Sequence, residues 1–156
     1  MKVTAESRQA LSRARFFVEL ARACRSDQRV EFEAFLEASI IFARSAVHRF
    51  KSEHQRLPKW KEVWDSWASE PSVLFFRKER DQILKEAPPK IGQMLFAGTA
   101  RGGTRAPLTA EPPDEPRSAA EFYYYEVPGT PASDTVERHL VALCALLTRA
   151  KSILSQ

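Results

Sequence analysis

Arg80 stands where an apolar side chain is expected. On a helical wheel drawn through residues 71–87, Val73, Phe76, Ile83, Leu84 and Ala87 define one stripe, and Arg80 falls in its middle. A guanidinium there is costly unless it is paired. The position therefore predicts an internal ion pair (Glu37 or Glu19 being candidate partners), a side chain that snorkels to water, or a residue lining a functional or dimeric cleft. Arg77, Asp81 and Lys85 are spaced four apart on a neighbouring face, where they can pair in solvent. Trp60, Trp64 and Trp67 are spaced for one helical face. Such a face serves as a stacking platform for bases, or more plainly as core or a dimer surface. Leu74 and Phe75 lie off the stripe at the start of the same helix as Arg80 and join the tryptophans as dimer-interface candidates.

Other chemistries lack their residues. The three histidines, His48, His54 and His139, include no pair at metal-ligand spacing on one helix face. No Gly-rich phosphate loop follows a strand, and no Ser or Cys sits in a recognisable nucleophile motif. Cys24 and Cys144 are far apart among apolar positions and read as two small buried hydrophobes, neither a disulfide nor part of a zinc site. The expectation is a protein with no metal and no cofactor.

These residues need elements to hold them. At 156 residues, with 44% hydrophobic and 28% charged content, the chain is sized and composed for one globular domain spanning 1–156. No apolar run approaches bilayer length and no signal-like stretch opens the chain, so the expected location is cytoplasmic, with no membrane partner. No Gly or Pro interrupts the first 57 residues. Periodicity predicts a helix from about Glu6 to Arg25, a break with a cap at Ser26-Asp27, and a second helix from about Gln28 to His54. Pro58 opens a short Trp-rich helix, and Pro71 opens a fourth running to about Ala87. Asp134-Thr135-Val136-Glu137 has capping-box spacing and opens the last, to about Leu154.

Between them the composition changes. All five Gly and eight of the ten Pro lie from Pro88 to Pro131. Gln93 to Ala97 and Glu121 to Val127 read as two short strands, separated by a long flexible loop over 98–118. Its Arg101-Gly102-Gly103-Thr104-Arg105 has the composition to touch RNA phosphates. Charge is uneven: residues 1–105 hold 20 Lys and Arg against 13 Asp and Glu, and residues 106–156 hold 4 against 7. A basic first part is compatible with a nucleic-acid partner and with ordinary solvated helix faces.

A long helical hairpin, a Trp-rich short helix, then Val73-Leu74-Phe75-Phe76-Arg77-Lys78-Glu79-Arg80-Asp81-Gln82-Ile83-Leu84-Lys85-Glu86 together resemble the HEPN superfamily of small helical proteins. The likeness covers roughly residues 7–90 and the last helix. It implies a mainly α fold: four long helices in an antiparallel HEPN-like bundle, a short Trp-rich helix, and a small two-stranded β flap before the last helix. Catalytic members of that family are metal-independent ribonucleases, often toxins, whose motifs (an arginine, usually followed by a polar residue, with four to six residues in all before a histidine) meet across a homodimer; inactive members bind RNA or partner proteins. On this chain Arg80 takes the arginine position, Asp81 the polar one, and Lys85 replaces the histidine. A protonated lysine cannot act as a base near neutral pH, although it can meet phosphate as a point charge. A degenerate motif of this kind implies no confident catalytic residue, and an RNA or partner cleft of Arg77, Arg80 and Lys85. Arg49 and His54 also satisfy the bare spacing, but with apolar Phe50 where a polar residue is usual.

Three functions follow. The first is a homodimeric binding or interaction module, catalytically degenerate and RNA-associated. The second is a metal-independent ribonuclease of toxin-antitoxin or phage-defence type, pairing Arg80 with a histidine from elsewhere. The third is a helical scaffold with no nucleic-acid role.

Overall fold

A computed structural model describes residues 5–87, 90–94 and 121–156. The chain runs α1 (Ala5–Arg22), α2 (Arg29–His54), α3 (Trp60–Trp67), α4 (Pro71–Leu84), β1 (Ile91–Gln93), β2 (Phe122–Tyr124) and α5 (Ala132–Leu154). The mainly helical class, the short Trp helix and the two-stranded flap before the last helix are all present. The 98–118 loop, with Arg101 to Arg105, lies outside the described residues, as do residues 95–97 of the first expected strand.

α1 and α2 make the most extensive contact in the molecule. Their seam is built of small residues, with Ala10, Ala14, Ala21, Ala43 and Ala46 wholly inaccessible, which lets the two axes approach closely. Buried Ser39 donates its hydroxyl to the carbonyl of Ala14 at 2.8 Å across that seam. Ser7 in the first part of α1 reaches Glu53 near the end of α2, so the hairpin is antiparallel. Phe17 stacks on Phe42 with ring centroids 5.6 Å apart.

α3 closes the far end of α2. Trp60 and Trp67 are buried and pack on Phe50. His54 is buried too: its ring stacks on Phe50, and Nδ1 lies 2.9 Å from the Phe50 carbonyl, which makes Nδ1 the donor. The Arg49–His54 spacing is therefore the signature of a core histidine.

α4 departs from its predicted wheel. Ser72, Val73 and Phe76 are buried, yet Leu84 and Ala87 are exposed, and Arg80 lies at the surface with its side chain 39% exposed. Helical geometry explains this. A four-residue step over-rotates by about 40°, so the row Phe76–Arg80–Leu84 walks off the contact line, while the seven-residue step to Ile83 stays within about 20° of it. Arg80 has no partner in Glu37 or Glu19; its Nη1 lies 3.4 Å from Oδ1 of the adjacent Asp81. That contact also replaces the expected Arg77–Asp81–Lys85 ladder. The helix stops in a left-handed cap. Ala87 donates to Gln82 O and Glu86 to Ile83 O, with Glu86 at φ 52.

The flap is antiparallel, with Ile91 opposite Tyr124, Gly92 opposite Tyr123 and Gln93 opposite Phe122. Two strands this short need the helices beneath them. Phe122 stacks on Phe32 at 4.5 Å, and Arg29 and Gln93 bridge flap and α2 end through the carbonyls of Ile91 and Ser26. Gly92 is required by close approach: a Cβ there would lie 2.6 Å from the Tyr123 ring and 2.8 Å from that of Tyr125.

α5 begins earlier than the capping-box spacing predicts. Pro131 is its N-cap and Asp134 already lies in the first turn. Asp134 and Glu137 instead receive the guanidinium of Arg22, which also pairs with Glu19. The cation at the end of α1 thus ties down the acidic start of α5, and buried Ala132 and Ser133 supply the added turn. Both cysteines are free, Cys24 buried and Cys144 half-buried. No helix among the described residues is long and apolar enough to cross a membrane.

Candidate functional site

The chemistry-bearing surface lies where α2 and α4 run side by side. Arg44 is the residue around which it is organised. It stands in α2 beside Ile40, Ala43 and Val47, all buried, at the edge of the stripe they form. The guanidinium is half-buried, and its Nε is fully shielded with no hydrogen-bond partner. Burial lowers its pKa from the ordinary arginine value, and the charges of Arg77 and Arg80 lower it further, with Asp81 opposing them. Three guanidiniums from two helices therefore share one neighbourhood.

His48 stands one turn beyond Arg44. It is exposed at the ring edge yet held below the usual histidine range, first by burial of part of the ring and then by Arg44, Arg80 and Lys51. At neutral pH its imidazole is neutral and able to accept a proton. Lys51, a further three residues on, sits over the Trp64 ring with Nζ 4.6 Å from the centroid.

A groove of about 190 Å³ opens beside these cations, walled by Arg44, Arg77, Trp64, Asp65, Trp67 and Leu74. Its acid, Asp65, is engaged by Lys61 at 2.6 Å. What remains is a partly apolar wall with two guanidiniums at its rim. Chemically that arrangement suits an anion with an attached flat or apolar group.

The structure thus brings together Arg77 and Arg80 of the expected cleft and leaves out Lys85. Lys85 is the exposed C-cap of α4 and is not among the charges that act on Arg44 or His48. Five residues of helix turn it about 140° from Arg80, so the two do not share a face. Of the dimer-interface candidates, Trp60 and Trp67 are core residues, and Phe75 is packed between His139 and Tyr124. Trp64 and Leu74 retain exposed surface.

Arg44 and His48 were not among the sequence candidates. The signal was present: two basic residues four apart, flanking the buried Val47, on a helix whose bounds were already predicted. Among the described residues no group of His, Cys, Asp and Glu is placed to hold a metal ion. No family model matches the chain, and no curated protein or solved structure does.

Proposed function

We propose that the chain is a HEPN-like homodimeric binding module whose α2–α4 face takes phosphate groups of RNA. The observation that carries this is Arg44, a half-buried guanidinium with an orphaned Nε, crowded by two further arginines whose effect Asp81 opposes. Such a cluster is unfavourable alone and becomes favourable when an anion arrives. Trp64, adjoining in the same groove, supplies a ring for a base to stack on. Exposed Leu74 beside it offers apolar surface for a second copy.

The test is fluorescence anisotropy with a short single-stranded RNA across a salt series. Binding is expected to weaken steeply with salt, and Arg44→Gln, Arg77→Gln or Arg80→Gln each to lower the slope by about 0.7 per lost phosphate contact. Lys85→Gln is expected to change little. No RNA binding even at low salt favours the scaffold reading. Sedimentation at micromolar concentrations reads the dimer, and a monomer at every concentration counts against it.

The ribonuclease reading gains from one observation. His48 is a neutral imidazole within electrostatic reach of Arg80, which is the pairing of arginine with a histidine from elsewhere that this reading needs. In it, His48 accepts the proton of a ribose 2′-hydroxyl as that oxygen attacks the neighbouring phosphorus; the bond from phosphorus to the 5′-oxygen breaks, leaving a 2′,3′-cyclic phosphate and a 5′-oxygen that takes its proton from water, while the arginines hold the developing charge. It predicts RNA cleavage in the presence of a chelator, lost in His48→Ala and in Arg80→Ala.

A further inference from the structure

The α1–α2 hairpin turns its small-residue seam and buried stripes towards the bundle and carries a ladder of four phenylalanines along its outer edge. Phe17 stacks on both Phe35 and Phe42, with centroids 6.4 and 5.6 Å apart, and Phe16 meets it edge-on at 5.4 Å. Every ring contact these four make is with one another. Phe16 is 59% exposed and the other three are half-buried. Single exposed rings are ordinary, whereas a continuous apolar surface of this kind marks a place where something else packs.

α2 carries the pattern that identifies the partner. Glu31, Phe35, Ala38, Phe42, Ser45 and Arg49 recur in alternating steps of four and three, the spacing of a seam between two helices. α1 borders that seam without covering it, for none of the six is buried. Ile41 beside it is 43% exposed. Glu37 and Arg44, the charges in the middle of α2, line cavities on its α4 side instead. The seam keeps its charges for its ends, an acid at Glu31 and a base at Arg49. Neither has a hydrogen bond or ion pair among the described residues. Arg13 adds a cation on the Arg49 half, its guanidinium carbon 5.7 Å from the Phe42 centroid.

We propose that this face is the contact surface for a second copy of the chain, its α2 antiparallel to the first about a two-fold axis level with Ile40. A two-fold interface must be complementary to itself. In this register Glu31 of each copy meets Arg49 of the other, and the two end charges are neutralised at both ends. Ala38 meets Phe42 and Ser45 meets Phe35, so a small side chain faces each ring and the surfaces interdigitate. From Glu31 to Arg49 the seam runs about 27 Å along the axis. A strip of that length, two helices wide, is on the order of the ~800 Å² per partner of ordinary specific interfaces. RNA would require cations along the whole face, and Glu31 closes one end against it. A helix of another protein would account for the rings but not for ends that match each other. The proposal rests on the homodimeric part of the function proposed above, not on RNA, and places the main contact away from Leu74. Arg44 lies about 140° round α2 from the seam, so the phosphate groove stays open in the dimer.

Sedimentation velocity of the full chain from about 1 to 200 µM tests this, because a self-associating chain reports its affinity through concentration. Wild type is expected to shift from monomer to dimer. Phe16→Ser should weaken the dimer about a hundredfold, as an aromatic anchor lost from both sides does. Glu31→Lys and Arg49→Glu should each weaken it about tenfold, since each sets like charges together at both ends. Combined in one chain, the two reversals should restore the dimer to within about threefold of wild type, a rescue that a merely structural effect cannot give. The reversals also decide the matter if Phe16→Ser does not fold. A dimer indifferent to Phe16→Ser and to both reversals overturns this interface and leaves the homodimer standing; its loss in Leu74→Ser then puts the contact at the groove. A wild-type monomer at every concentration overturns the interface and the homodimer together. In that monomer, a lower melting temperature for Phe16→Ser means that the same chain covers the ladder, and an unchanged one that a different protein does. RNA anisotropy of Phe16→Ser, expected to keep the wild-type salt slope, reads the phosphate site separately.

Discussion

The imidazole of His139 lies flat on the ring of Phe75, with centroids 4.0 Å apart and planes 11° from parallel. The ring is half-buried, and burial, followed by Arg138, holds its pKa below the ordinary 6.5. The unfolded chain therefore takes up this proton at higher pH than the folded one. Stability from the neutral stacked ring is present above about pH 6.5 and is lost as pH falls through the lowered folded value. Urea unfolding of wild type and His139→Gln between pH 8 and pH 5 should show a wild-type advantage of about 1 kcal/mol that narrows on acidification. The difference is the readout, because Glu37, Glu53 and Glu79, all raised by burial, act with the opposite sign. A gap that stays constant with pH would remove His139 as the cause.

Glu86 occupies the left-handed position of the α4 cap at φ 52, a region where a Cβ is penalised and glycine is not. It is exposed and has no ion pair among the described residues to lose. Glu86→Gly is expected to stabilise the protein by about 1 kcal/mol. A raised midpoint in thermal unfolding checks this; a lowered one would mean the side chain matters more than its backbone.

The tryptophans of α3 should separate into two classes. Trp67 is 2% exposed and touches Phe50, Trp60 and Trp64, so Trp67→Ala should cost about 3–5 kcal/mol. Trp64 is half-exposed under Lys51, and Trp64→Ala should cost about 1 kcal/mol or less. Its effect is expected in RNA affinity or dimerisation instead. Equal destabilisation by both, measured by denaturant titration, would assign Trp64 to the core.

The elements were readable because each carries its own local signal. An unbroken apolar period marked α1 and α2, prolines marked the starts of α3 and α4, and Phe122 and Tyr124 alternate inwards around Tyr123 as a strand must. The placement of Arg80 was not readable, because a wheel assumes the partner surface runs the whole length of the helix. Here the buried side of α4 ends near Phe76 and Ile83. Arg44 was missed for the converse reason: a basic residue on a long helix, even with His48 four residues on, reads as solvated until tertiary contact sets Arg77 and Arg80 against it. The cap of α5 failed because Asp134 and Glu137 answer to Arg22, more than 100 residues away in sequence.

Arg44 should trade stability for binding. Its guanidinium is partly desolvated, lacks a partner for Nε, and is repelled by Arg77 and Arg80, while the residue walls the α2–α4 groove. Arg44→Met keeps an unbranched stem of similar reach and removes the charge. Replacing a poorly compensated buried charge with a hydrophobe of similar volume is expected to raise stability by about 1 kcal/mol. The same change should lower RNA affinity at low salt roughly tenfold, a loss that shrinks as salt rises because the contact removed is electrostatic. Opposite movement of the two quantities is the pattern of a site held ready for an anion. If stability falls and RNA binding is unchanged, Arg44 is a packing residue with its head in solvent, and the α2–α4 face is not where phosphate binds.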